Sequence, residues 1–425
     1  MPRLFNSEAM KTAISPSNFS RPGALSRLPD APAEWGPAYR RHLLEFVLPF
    51  WPQHAPDREQ GGLFTCIDDA GRLLSTDKYM WSQTRALWTF SALYGRLERK
   101  PAWLEIARSQ YDFCRRYGPD EDCRWRFRVS REGHPIDGPV SLATSHFAIM
   151  GLVEYARAAG TEEPLDLARR TFAKAYALIR SGQPFDQTPY ALPPGMKAHG
   201  TAMCCAIAFY ELGEFLKDSA ILDAARYFCD QILREFIRPE LKGLVEYVNR
   251  DGSFSDTPEG RAMVPGHGIE SMWFLLEIAR RSGRKEDIPV ILQTLEWCLE
   301  RGWDRDFGGL LLGIDVLGKT PVYWKHGLFK LWWPVTEALA ATLMAYEVDP
   351  SPKWLDWHRR IMDWALPRYP VPEHGEWRQR LDREGRPYDP FLILPVKDPF
   401  HLPRGLLVGI ETIARLKSKG DSRFQ

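Results

Sequence analysis

Apolar residues recur at helical spacing along most of the chain. Twelve segments carry the pattern: 36–50, 79–97, 101–117, 141–160, 164–180, 199–216, 219–236, 266–282, 286–301, 333–347, 352–366 and 401–417. They fall into six successive pairs, and within most pairs the connection is short, which predicts antiparallel helical hairpins. The segments between pairs are longer and hold Gly, Pro and turn residues. Four of them, GGLFTCIDDAGRLL, WRFRVSREGHPI, GLVEYVNRDGSF and GGLLLGIDVLGKTPVYW, read as strand, turn, strand. The pattern predicts an all-α fold, a closed ring of six helical pairs with short β-hairpin loops at one end. A helical solenoid fits the pairs alone, but the hairpin insertions favour a barrel mouth that builds a pocket. No Pro/Ser-rich linker divides the body, so residues 35–418 are expected to form one domain, flanked by a flexible tail at 1–34 and a short tail at 419–425.

Composition narrows the function. Of 425 residues, 44% are hydrophobic and 26% charged, with a net charge of +1. Without blocks of like charge, neither nucleic acid nor an acidic membrane is an expected partner. No apolar run reaches the roughly 18–20 residues of a membrane span, and the first residues lack the apolar stretch of a secretory signal. The seven cysteines are odd in number and form no CxxC motif, which argues against a disulfide framework or zinc site and fits a reducing cytoplasm. The 16 tryptophans either fill a large core or, in part, cover the C–H faces of a sugar.

Five stretches could carry chemistry. In MVPGHGIE (263–270), Pro265 and Gly266 precede a helix, so His267 sits at a helix N-terminus, whose dipole should keep the imidazole neutral. Glu270 lies on roughly the same face and could fix the ring or bind a hydroxyl; a capping Glu at an ordinary helix start reads the same way. In KDPFHLPR (397–404), His401 again stands at a helix entry, and Arg404 could hold a hydroxyl or a developing oxyanion. KLWWPVTE (330–337) offers Trp332, Trp333 and Glu337, either as core and cap or as a sugar-stacking edge. Arg85, in TDKYMWSQTR (76–85), is a cation at the start of an apolar helix and fits a pocket lining better than a core. His199, in MKAH (196–199), is a third candidate pocket histidine. GxxxxGK[ST], HExxH and GxSxG are all missing.

With these residues in place, the sequence resembles the N-acylglucosamine 2-epimerase family, which includes mannose isomerases and cellobiose 2-epimerases. The likeness runs from about Gly61 to Leu416. It rests on GGLFTCIDDAGRLLSTDKYMWSQTRALWTFSALY, PGHGIESMWFLL, KLWWPVTEALAATLMAYE and FHLPR, in that order. It implies an (α/α)6 barrel with no required metal or cofactor and a small sugar as substrate. His267 and His401 would face each other across C2, with Arg85, Glu270, Trp332, Trp333 and Glu337 on the family's pocket positions. It leaves room for a homodimer. Nucleotide activation, known in some relatives, has no phosphate-binding loop to mark it. The family's Tyr-x-Asp-x-Phe stretch reads Ala143-Thr-Ser-His-Phe147, so His146 and His199 would replace contacts made elsewhere.

The chemistry implied is deprotonation at C2 of an open-chain aldose and reprotonation of the enediolate. Return of the proton to the opposite face gives the 2-epimer, of the N-acetylglucosamine/N-acetylmannosamine type; delivery to C1 gives a ketose, the mannose/fructose alternative. His401 is expected to remove the proton and His267 to return it, with Arg85 or Arg404 stabilising the oxyanion. Two further alternatives are a glycoside hydrolase using Glu270 and Glu337 and a non-catalytic binding protein.

Overall fold

The computed structural model describes residues 21–182, 188–189, 191–392 and 394–425. Helices dominate them in two concentric rings. The inner ring contains α3 (Met80–Ala92), α5 (Leu142–Ala159), α7 (His199–Leu216), α9 (Pro265–Ser282), α11 (Trp332–Val348) and α13 (His401–Ser418). Outside lie α1 (Trp35–Arg41), followed by the short α2 (Phe50–His54), then α4 (Pro101–Tyr117), α6 (Glu163–Arg180), α8 (Ser219–Gln231), α10 (Ile288–Gly302) and α12 (Pro352–Ala365). From α3 to α11 each inner helix packs on the next inner helix and on the outer helix that follows it, as in α3 with α4 and α5, and α13 packs on α11 and on α1. The sequence explains the sorting. α11 is buried without a break from Trp333 to Tyr346, as a helix apolar on all sides must be, whereas α12 buries one stripe only.

Glycines set the closeness of the inner ring. A Cβ on Gly151 would lie 2.5 Å from the carbonyl oxygen of Thr84, one on Gly405 2.5 Å from that of Thr336, and one on Gly266 2.5 Å from the Trp333 ring. These contacts pull α5 onto α3, α13 onto α11 and α9 onto α11. At one end the barrel is crossed by ion pairs between inner helices, including Arg96–Glu411, Arg157–Glu211 and Arg281–Glu211. The other end carries the strand-like loops.

The predicted elements differ from the observed ones in three respects. Two of the expected long helices end in π turns, Leu93–Leu97 and Ile232–Phe236. The hairpin expected in WRFRVSREGHPI forms, with Arg128–Val129 paired to Pro135–Asp137, but other strands pair with partners beyond their own loops. Tyr247–Asn249 pairs with Met196–Ala198, and Ile314–Asp315 with Ala262–Met263, so the loops stitch neighbouring hairpins together. The tails are also docked rather than loose. Leu28 and Phe424 are buried, Trp35 Nε1 donates to the carbonyl of Pro29 at 2.9 Å, and Phe424 packs edge-on against Trp35. Residues 1–20 of the expected N-terminal tail lie outside the described residues.

Candidate active site

The loop end opens into a pocket of about 310 Å³ whose lining includes His267, His401, Arg85, Glu270, Trp332 and Trp333. Residues 134 positions apart in the chain therefore meet in one chamber. His267 follows a two-residue strand, Ala262–Met263, into an inner helix, whereas His401 follows irregular chain. Pro265 opens α9 and places His267 in its first turn, while His401 is the first residue of α13. Trp333 lies between the histidines, with ring centroids 5.1 Å from His267 and 5.8 Å from His401.

Each histidine is backed by a carboxylate. His267 Nδ1 lies 3.0 Å from Glu246 Oε2, and His401 Nδ1 lies 2.7 Å from Glu337 Oε1. An ionised carboxylate only accepts, so Nδ1 carries the hydrogen in both rings and Nε2 remains for proton transfer. Glu246 was not singled out from the sequence. It stands in the apolar run GLVEYV, between two short strands, and its backbone N–H donates to Ala262 O at 2.7 Å. That bond carries it alongside the entry to α9. A carboxylate inside an otherwise buried strand run was the available clue.

The two dyads differ electrostatically. Burial drives His401 down to about 3, with the Arg85 charge adding to the effect, so the ring is neutral and can accept a proton. Its carboxylate is shared: Glu337 also accepts from Trp273 Nε1 at 2.8 Å and Arg404 Nη2 at 2.8 Å, which spends much of its negative field elsewhere. Burial also pulls on His267, but the Glu246 charge and hydrogen bond, aided by Glu270, outweigh it and raise its pKa. Glu246 in turn is held down to about 2 by His267 and His199 against its own desolvation. The α9 dipole, expected from the sequence to favour a neutral His267, is thus opposed by the contacting Glu246 carboxylate, which raises the pKa of the ring.

The remaining predicted residues divide. Arg85 reaches the pocket, paired with Asp398 Oδ2 at 2.5 Å and lying 3.9 Å over the Phe147 ring. Glu270, Trp332 and Trp333 line the pocket as expected. Glu337, Arg404 and His199 do not. Glu337 is fully buried behind His401, and Arg404 is fixed by Glu270 and Glu337. His199 lies beneath Glu246 with Nδ1 3.8 Å from its carboxylate, beyond hydrogen-bond length, and burial keeps the ring neutral. These three position or tune the contacting groups. Glu270, Glu337 and His401 bring donor atoms within 4.8 Å of one another, a set that could hold a metal ion. Here the Arg404 guanidinium lies between the two carboxylates and supplies the positive charge.

Comparison with known proteins identifies the family. The sequence profile of N-acylglucosamine 2-epimerase (GlcNAc 2-epimerase) matches residues 62–401. The N-acylglucosamine 2-epimerase of Bos taurus is 30% identical over 387 residues, covering 88% of this chain and 90% of its own. The cellobiose 2-epimerase of Dictyoglomus turgidum is 26% identical, covering 88% and 97%. The solved cellobiose 2-epimerase of Spirochaeta thermophila superposes with a TM-score of 0.77 at 24% identity, over 90% of this chain and 97% of that one, and shares the (α/α)6 barrel. The chain belongs to the N-acylglucosamine 2-epimerase family, and it is a carbohydrate epimerase.

Proposed function

We propose that the protein inverts C2 of a reducing sugar, His401 removing the proton and His267 returning one from the other side, with the roles exchanged in reverse. The observation that supports this most is the unequal pair of dyads around Trp333, one histidine neutral and the other inclined to carry a proton. An acid and a base are what a proton exchange through an enediolate requires. Arg85, a cation in the pocket lining, is placed to stabilise the enediolate oxygen. The substrate class we favour is a 2-acylamino sugar, and the site of action the cytoplasm. No metal is required in this reading, since Arg404 supplies the charge between Glu270 and Glu337; chelation with EDTA should leave turnover unchanged.

Glycoside hydrolysis is disfavoured by the same cluster. Glu270 and Glu337 share one guanidinium and have oxygens within 4.8 Å, so they do not flank a glycosidic bond. The test is incubation in D2O with N-acetylmannosamine, mannose and cellobiose in turn, followed by NMR. Deuterium at C2 with appearance of the 2-epimer is expected. A ketose as main product would move the assignment to an isomerase, and an unchanged C2 proton in all three sugars would refute it.

A further inference from the structure

The pocket has two unlike walls. The wall from α9, α11 and α13 carries the histidines, Glu270 and the tryptophans. Opposite it, α5 and α7 contribute Leu142, Ala143, Met150, Met203, Cys204 and Ile207. This second wall carries no charge. Its histidine, His146, faces the Cys205 sulfur at 3.1 Å and is held neutral by burial, near 3, and the Cys204 thiol is pushed up to about 12 by burial. Thr201 is the hydroxyl that α7 adds to this wall; sugar hydroxyls set against the aliphatic carbon around it would lack partners, at a cost.

The apolar wall also runs deep. Met150, Ile207 and Phe274 line the pocket and, on their other side, a second cavity of about 220 Å³ toward the ion-paired end of the barrel. They form the floor beneath the histidines. A C2 substituent directed into the barrel from between His267 and His401 meets that floor.

Resting on the C2-epimerase reading, we infer that the sugar carries at C2 an acylamino group whose aliphatic chain is longer than acetyl and lies against the α5/α7 wall. Each added methylene that leaves water for such a wall improves binding about fourfold. Met150 and Met203, with unbranched side chains, can adjust to chains of differing length, and the floor at Ile207 and Phe274 sets the limit.

The test uses the full chain and a series of N-acetyl-, N-propanoyl-, N-butanoyl- and N-hexanoylmannosamine, with mannose and cellobiose as controls. kcat/KM for C2 epimerisation should rise about fourfold per methylene from acetyl to butanoyl, chiefly through KM, and level off or fall at hexanoyl. Filling the wall with Ala143→Phe should reduce the butanoyl-to-acetyl ratio toward one or below, with far-UV circular dichroism reporting whether the variant folds. A flat or falling series in the unmodified protein, or a preference for mannose or cellobiose, overturns the inference while leaving the epimerase reading intact. Absence of C2 exchange in every sugar removes the reading on which it rests.

Discussion

The sector formed by α3 and α5 and the sector formed by α11 and α13 are built on the same plan, yet only the second bears one of the two histidines proposed to transfer protons. Both begin with an Asp-Arg-x-x-Gly-Gly-Leu loop, 57–63 and 304–310, in which both glycines adopt positive φ. Side chains would strain that backbone. In the first, Asp57 pairs with buried Lys78 at 2.9 Å and with Arg131; in the second, Asp304 pairs with buried Lys330 at 3.1 Å and with Arg383. In both, the inner helix starts two residues after the lysine, and a glycine of the next inner helix lies against that helix's fifth residue, Thr84 or Thr336. On this shared frame Arg85 corresponds to Glu337, Phe147 to His401 and Met150 to Arg404. The frame sets where side chains point, and three exchanges turn an arginine against aromatic rings into a histidine–carboxylate–arginine cluster.

The sharpest way to break the comparison is to make the second sector chemically like the first. His401→Asn should lower kcat for C2 exchange by about 10²–10⁴-fold, and His267→Asn by a similar factor, with helical circular dichroism unchanged. Turnover near that of the unmodified protein in both variants would remove the histidine pair from the mechanism.

Arg404→Met copies Met150 into the active sector and leaves Glu270 and Glu337 buried without their cation. Breaking such a buried pair costs about 3–5 kcal/mol, which urea unfolding should read as a lower midpoint. The mirror change in volume only, Met150→Leu, should cost less than about 1.5 kcal/mol. Equal losses in the two variants would mean that Arg404 acts through packing rather than charge.

The two Lys–Asp clamps are the next test. Asp57→Asn and Asp304→Asn each leave a buried lysine without its carboxylate, and each should lower stability by about 3 kcal/mol. Their kinetic effects should separate. The first loosens the start of α3 and should act on KM through Arg85. The second loosens the start of α11, where Trp333 and Glu337 stand, and should lower kcat. The same kinetic change in both would show that the clamps support the barrel without steering either wall.

Much of this was readable in the chain because helical periodicity and Gly/Pro punctuation are local. The six pairs, the helix entries at His267 and His401, and Arg85 in the pocket lining all follow from residues close in sequence. What escaped depends on distance. Glu246 precedes His267 by 21 residues, and only the pairing of short strands brings it to Nδ1. Glu337 and Arg404 looked like sugar ligands because they share the faces of Trp333 and His401, but they stand one turn deeper, and that depth separates lining from backing. The docked tails escaped because Leu28 and Phe424 are single anchors in polar surroundings, without periodicity to betray them.

The smallest expected effect concerns the same contrast within the site. His267 has a raised pKa, so its protonated form is complete well below that value and is lost as pH rises through it. His401, lowered to about 3, stays neutral across the whole range above that. If one acts as acid and the other as base, kcat/KM should be flat through weakly acidic pH and fall on the alkaline side, above the ordinary histidine value of about 6.5. Glu246→Gln removes the charge that holds the His267 proton while keeping an acceptor for Nδ1. The alkaline limb should then move to lower pH, with a modest loss at the optimum. A merely structural role for Glu246 predicts a lower rate at every pH and an unmoved limb, so the position of the limb, rather than the size of the loss, decides whether this carboxylate makes the two histidines different.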